Sequence, residues 1–162
     1  MELRMLHERE KPAAMALCWR VFLQFEAPEY PPEGVEAFRS YIDDTETVSA
    51  LTVLGAFDGT ELTGVLAAEG NHVALFFVDP AHHCRGVGRA LLERLLDERQ
   101  DATLTVNAAP YAVEIYRHLG FHTTDQERLA PDGIRYRPME RCPCVDADGP
   151  HFHTGLSMDI SN

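Results

Sequence analysis

Residues 71–99 read NHVALFFVDPAHHCRGVGRALLERLLDER, and the order of residue types in them sets how the rest of the chain is read. An apolar run, Val73 to Val78, stops at Asp79-Pro80; a polar turn follows, then Arg85-Gly86-Val87-Gly88, then a helical pattern with no further breaker. Successive apolar positions on a strand of period two mean burial on both faces. After the glycines, Val87, Leu91, Leu92, Leu95 and Leu96 share one side of a 3.6-residue helix. Strand, glycine loop and helix in that order bring consecutive backbone N–H groups and the positive end of a helix dipole to one point. That is a physical recipe for holding a phosphate.

Upstream, Val48 to Phe57 and Leu62 to Glu69 flank Asp58-Gly59, and Gly70-Asn71 makes a second reversal. Three antiparallel strands in series are therefore expected, the third being Val73–Val78. Glu2 to Leu6 alternates around Leu3 and Met5 and reads as a first strand. After Lys11-Pro12, residues Met15, Cys18, Trp19, Phe22 and Phe25 recur at helical spacing, and a second helix is expected from about Pro32 to Ile42, beyond the breaker cluster in Ala27 to Gly34. This two-helix segment is expected to wall a substrate cleft. Downstream, alternation returns at Thr103-Leu104-Thr105-Val106 and ends at Asn107; a strand reached through a helix lies parallel to Val73–Val78. Pro110 suits the first turn of another helix, which Gly120 stops. Strand resumes after Phe121, turns at Pro131-Asp132-Gly133 and runs through Ile134 to Met139. The expected fold is α+β, a mixed, mostly antiparallel central sheet with helices on both faces.

The length, 162 residues, suits one domain. Lys and Arg total 14 against 26 Asp and Glu, a net charge of −12 that argues against a nucleic-acid partner and favours a cationic or amine one. No apolar run is long enough to cross a bilayer and Met1 to Glu8 lacks a signal-peptide core, so a cytoplasmic protein with no membrane partner is expected. Cys18, Cys84, Cys142 and Cys144 lack framework spacing and read as reduced thiols.

Three glycine-loop families compete for Arg85 to Ala90. A Walker-type loop fails because no Gly-Lys-Ser/Thr follows. A Rossmann fingerprint has Leu91 where its third glycine or alanine belongs, and too long a polar turn. There remains the pyrophosphate loop of acyl-CoA-dependent acetyltransferases. The chain resembles the GNAT superfamily of N-acetyltransferases over roughly Met1 to Glu140, with 141–162 as a C-terminal extension. His83-Cys84-Arg85-Gly86-Val87-Gly88 matches the family pattern Gln/Arg-x-x-Gly-x-Gly/Ala, and Arg89-Ala90-Leu91-Leu92 continues it. A second block, Asn107, Ala112, Tyr116 and Leu119-Gly120-Phe121, matches the family's ending, as does the closing Gly133 to Met139.

The resemblance implies a GNAT-like sheet and an enzyme moving an acetyl group from acetyl-CoA to a small-molecule or peptide amine in a ternary complex, with no metal required. It assigns the loop His83, Cys84, Arg85, Gly86, Val87, Gly88 and Arg89 to the cofactor pyrophosphate. The pantetheine arm would lie along the backbone of Phe76, Phe77 and Val78, where one N–H would polarise the thioester carbonyl. Tyr116 would protonate the departing thiolate. Asn107 caps the next helix, contacts the cofactor, or does both. His83 stands where the family has Gln or Arg, and either donates to a phosphate or is a solvated loop residue. Arg85 and Arg89 either add charge there or are solvated arginines at a helix start. The Cys84 thiol is a bystander, since direct transfer needs no acyl-enzyme. For the general base, Glu26, Glu29, Tyr30, Glu69 and His72 are candidates, none of them privileged by sequence. Cys142, Cys144, His151 and His153 form a zinc-compatible donor set whose spacing is not that of a common finger, so no metal is assigned. The open strand edges admit a homodimer. The competing function is a non-catalytic CoA-binding sensor or partner-docking module of the same fold.

Overall fold

A computed structural model describes residues 1–100 and 102–143. Eight strands, β1 (Glu2–Met5), β2 (Thr52–Asp58), β3 (Glu61–Glu69), β4 (His72–Val78), β5 (Leu104–Ala108), β6 (His122–Thr123), β7 (Arg128–Leu129) and β8 (Arg135–Arg141), form one sheet. Its order is β1-β2-β3-β4-β5-β8-β6, with β7 also on β8. Every pairing is antiparallel except β4 with β5. The helices are α1 (Lys11–Phe25), α2 (Pro32–Asp43), α3 (Thr45–Ser49), α4 (Val87–Glu98) and α5 (Val113–His118). None is long and apolar enough to cross a membrane.

The sheet separates two cores. Leu54, Leu66, Phe76 and Val106 pack with Leu91, Leu95 and Tyr116 of α4 and α5. Val53, Val65, Leu75 and Phe77 pack with Cys18, Val21 and Phe22 of α1. Adjacent Phe76 and Phe77 thus serve opposite cores, the two-faced burial expected of this strand. Gly59 and Gly70 supply positive φ at the two hairpin turns. Gly64 on β3 admits α4: a Cβ there would lie 2.8 Å from Val87 Cγ1. The start of α4 is thereby seated directly against the sheet.

Two local expectations fail. Val48 to Leu51 is not strand; β2 starts at Thr52, and Thr45–Ser49 is helical. Asp44 caps that turn, accepting from the Glu46 N–H at 3.1 Å and the Thr47 hydroxyl at 2.8 Å. At the other end Lys11 Nζ donates to the Leu51 carbonyl at 2.9 Å and the Val48 carbonyl at 3.3 Å. On the edge strand β1, Met5 is 47% exposed and Leu6 carries the burial.

The feature that positions the site is a break in the sheet. On β3, Ala68 faces Val73 but Ala67 faces Leu75, so Ala74 is an extra residue on β4. Alternation slips there, and Ala74 and Leu75 both face the α1 side. The parallel register with β5 holds only at His72↔Thr105 and Val73↔Val106. Beyond it β4 stays with β3, while β5 follows β8 through Ala108↔Arg137.

Candidate active site

The divergence of β4 and β5 opens a cleft of about 270 Å³ on the α1 side of the sheet. Ala74, Leu75 and Asn107 form its floor, with Phe22 and Glu26 from the end of α1, Tyr30 and Phe38 beyond it, and Asp132 and Tyr136 from the β7–β8 turn and β8. That turn is held against the α1–α2 connection, because Gly133 has φ 87° and a Cβ on it would lie 2.4 Å from Pro31 Cγ. A second cavity, of about 420 Å³, shares Glu26, Tyr30, Ala109 and Arg135 with the first and adds Phe25 and Tyr111.

Glu26 stands where the two cavities meet and is 3% exposed. Its carboxylate accepts from the Tyr111 hydroxyl at 3.4 Å. Among the described residues no cation forms an ion pair with it. Burial pushes its pKa well above the ordinary carboxylate value, against a smaller pull from Tyr111. A carboxyl so displaced is a stronger base than an ordinary carboxylate.

Tyr116 on α5 is fully buried, its ring edge-on to Phe76 at 6.2 Å and Phe121 at 5.4 Å. Burial, with Glu26 and Tyr111 adding to it, raises the phenol pKa well above its ordinary value. The hydroxyl is therefore protonated throughout the neutral range, and Tyr116 lines neither cavity. Of the five candidate bases, Glu26 and Tyr30 line the 270 Å³ cleft and Glu29 the second cavity. Burial raises the Tyr30 phenol, and the charges of Glu26, Asp132 and Glu29 add to it, so it is no base at neutral pH. His72 lies at the closed end of the β4–β5 pairing, its Nδ1 2.8 Å from Thr105 Oγ1, and Glu69 pairs with it in register on β3.

At the open end of β4 the chain enters the glycine loop. Asp79 accepts from the Ala81 N–H at 2.8 Å and pairs with Arg20 at 2.8 Å. Burial would raise this carboxyl, but those two partners outweigh it and hold it below the ordinary range. Cys84 (φ 61°) and Gly86 (φ 78°) take positive φ, and α4 begins at Val87. Among the described residues Cys84 is the non-glycine residue with positive φ. Such a loop turns backbone N–H groups toward one side of a helix N-terminus. Arg85 is exposed and Arg89 half-buried at its rim, over buried Val87 and Gly88. His83 is not simply solvated: its Nε2 is 2.8 Å from the Val78 carbonyl and its ring tilts on Phe25 at 5.7 Å. A carbonyl can only accept, so Nε2 carries the proton and the ring ties the loop to the strand. Asn107 is exposed at the cleft and caps no helix; the N-caps of the following 3₁₀ turn and of α5 are Ala109 and Ala112.

Sequence reasoning missed Tyr111 and gave Glu26 no priority. A signal for Glu26 existed: it falls four residues after Phe22, on the stripe Met15, Cys18, Phe22 that α1 buries. An acidic residue at the next stripe position is a carboxylate aimed at the core. Tyr111 has no comparable signal, because its approach to Glu26 depends on how α1 and the β5–α5 turn meet.

The family model described as an acetyltransferase (GNAT) domain matches residues 26–142, well over half the chain. The peptidyl-lysine N-acetyltransferase YjaB of Escherichia coli (strain K12) is 27% identical over 113 residues, 69% of this chain and 74% of that one. Among solved structures, a GCN5-related N-acetyltransferase from Rhodopseudomonas palustris superposes with a TM-score of 0.73 at 25% identity, covering 87% of this chain and 94% of that one. The PaiA N-acetyltransferase of Thermoplasma acidophilum, solved with coenzyme A, shares the fold with a TM-score of 0.70 at 17% identity, covering 87% of this chain and 98% of that one.

Proposed function

Because this chain belongs to the GNAT acetyltransferase family, we propose that it transfers an acetyl group from acetyl-CoA directly to a primary amine, with both substrates bound at once. The observation that carries this is the parting of β4 and β5 between a glycine loop and a cleft that holds a buried carboxylate.

In this reading the backbone of the loop from His83 to Arg89 receives the pyrophosphate, with Arg85 and Arg89 adding charge at its rim. Backbone groups of Phe76, Phe77 and Val78 hold the pantetheine arm as a neighbouring strand would, and one N–H there polarises the thioester carbonyl. Asn107 borders the arm from the other strand. The amine enters from the α1 side, its methylenes against Phe22, Phe38 and Tyr136, its ammonium drawn by Glu26 and Asp132. Glu26 takes the ammonium proton, directly or through water. The free amine nitrogen then bonds to the thioester carbon, the carbon–sulfur bond breaks with its electron pair leaving on sulfur, Tyr116 donates its proton to that thiolate, and the surplus proton on the new amide nitrogen leaves through water to restore the Tyr116 hydroxyl. No acyl-enzyme forms. A lysine-like alkyl amine, free or in a peptide, fits this cleft; the peptidyl-lysine activity of the Escherichia coli relative supports that class.

The test is CoA release across a panel of alkyl amines and lysyl peptides. Tyr116→Phe is expected to lower kcat by about 10²- to 10⁴-fold while acetyl-CoA still raises the melting temperature. An unchanged kcat and pH profile would remove Tyr116 from the acid role. Acetyl-CoA binding with no turnover on any acceptor would favour the sensor reading.

A further inference from the structure

Away from the cleft, the margin of the sheet gathers three unlike ligand-forming side chains. His122 on β6 faces Glu140 on β8 in register, and Cys142 follows two residues later, just past the strand end. Arg141 between them turns the other way, its Nε donating to the Leu119 carbonyl at 3.1 Å. Glu140 and Cys142 therefore share one face. His122 Nε2 lies 3.2 Å from Glu140 Oε1, and Cys142 Sγ lies 3.8 Å from the same oxygen. One nitrogen, one oxygen and one sulfur ligand atom all fall within 4.8 Å of one another.

These separations can be compared with what a metal demands. Zinc bonds of about 2.0–2.1 Å to nitrogen, 2.0–2.2 Å to oxygen and 2.3 Å to sulfur, set tetrahedrally, put N and O about 3.4 Å apart and S and O about 3.6 Å apart. The observed distances differ from these by about 0.2 Å each, well within side-chain adjustment. An imidazole, a carboxylate and a thiolate are a borderline-to-soft set, which selects zinc over calcium or magnesium. An exposed His–Glu pair alone would be an ordinary surface ion pair; the third, sulfur-bearing ligand sets this cluster apart.

We propose that His122 Nε2, a Glu140 carboxylate oxygen and Cys142 Sγ bind one zinc ion, with a water at the fourth position. The site has a structural use. β6 is two residues long and meets β8 at only two registered pairs, His122↔Glu140 and Thr123↔Met139. A metal shared between β6 and the end of β8 clamps that short strand to the sheet. The role is independent of acetyl transfer, since none of the three residues lines the cleft or belongs to the glycine loop.

The test uses the full chain, stripped with a chelator and titrated with zinc chloride by calorimetry, then with cobalt(II) followed by absorbance. One zinc per chain is expected, with tetrahedral cobalt bands and a thiolate-to-cobalt band in the near ultraviolet. His122→Ala and Cys142→Ser should each weaken zinc by at least about tenfold, and Cys142→Ser should abolish the thiolate band. Both side chains are at least partly solvent-accessible, and an unchanged thermal shift with acetyl-CoA confirms that the variants fold. Absence of saturable binding overturns the proposal. So does binding that these variants leave intact but that Cys144→Ser or His151→Ala removes.

Discussion

In the proposed mechanism, Glu26 is where the chemistry and the stability of the molecule meet in one side chain. Its pKa is raised on folding because burial penalises the carboxylate. A raised folded value means that the native state binds the proton more tightly than the unfolded chain does. The contribution is thus fully present below the unfolded value of about 4.3 and is lost as pH rises through the folded one. Glu26→Gln should therefore flatten the fall in melting temperature on the alkaline side of that window, and there the variant should melt higher, by about 2–4 °C per kcal/mol recovered. The same substitution should lower kcat/KM by about 10²- to 10⁴-fold and erase the acid limb of its pH profile. A variant with wild-type turnover and wild-type pH-dependent melting would mean that Glu26 neither ionises nor accepts a proton. At this scale the loop glycines and Tyr116 stand out in the sequence because each belongs to an ordered motif, while the mark of Glu26, a charge interrupting an apolar stripe, went unused. The tie from His83 to Val78 was not readable, because a ring five residues beyond its carbonyl partner can turn inward or outward with equal local ease.

Elements are placed here by contacts that the local sequence does not carry. Helix α3 is a case: the carbonyls at and just beyond its end are capped by Lys11, which lies 40 residues before Leu51, and nothing within Val48 to Leu51 announces that partner to a local reading. The position of α4 depends likewise on Gly64, one strand removed. Gly64→Ala puts a methyl 2.8 Å from Val87 Cγ1 and 3.1 Å from Leu91 Cδ1, so the first turn of α4 must lift from the sheet. Overpacking of this kind costs about 1–3 kcal/mol. The expected result is a lower melting temperature together with weaker acetyl-CoA binding, because the loop moves with the helix; a variant that melts lower but binds acetyl-CoA as tightly would separate the loop from α4. The antiparallel series β2–β3–β4 and the parallel β5 were legible from turns and crossover length, whereas the insertion of β8 between β5 and β6 had no local signal. The bulge at Ala74 was not, because a one-residue slip in register leaves no mark in an unbroken apolar run.

For the molecule as a whole, a net charge of −12 gives the surface a field that reaches beyond any one pair. An acceptor carrying two or more positive charges should lose roughly 3- to 10-fold in kcat/KM as salt rises from about 0.05 to 0.5 M, since the screening length shrinks below 10 Å over that range. A neutral-bodied amine should lose little, and equal losses for both would assign the effect to the cofactor's phosphates instead. The fold class was legible at this scale because helix and strand periods, turns and chain order agree with one another.

The two registered pairs between β4 and β5 give the molecule a mechanical character of its own. One leaf comprises β1 to β4 with α1 to α4, the other β5 to β8 with α5, and along the sheet they are stitched at His72↔Thr105 and Val73↔Val106. Six pairs join β3 to β4 on one side of that seam and five join β5 to β8 on the other, so the seam is narrower than either neighbouring join. The protein is built like a book opened partway, with its spine at one end of the strands and a wedge-shaped gap at the other. Anything lying lengthwise in the gap bonds to both pages and stiffens the spine, so occupancy and rigidity rise together.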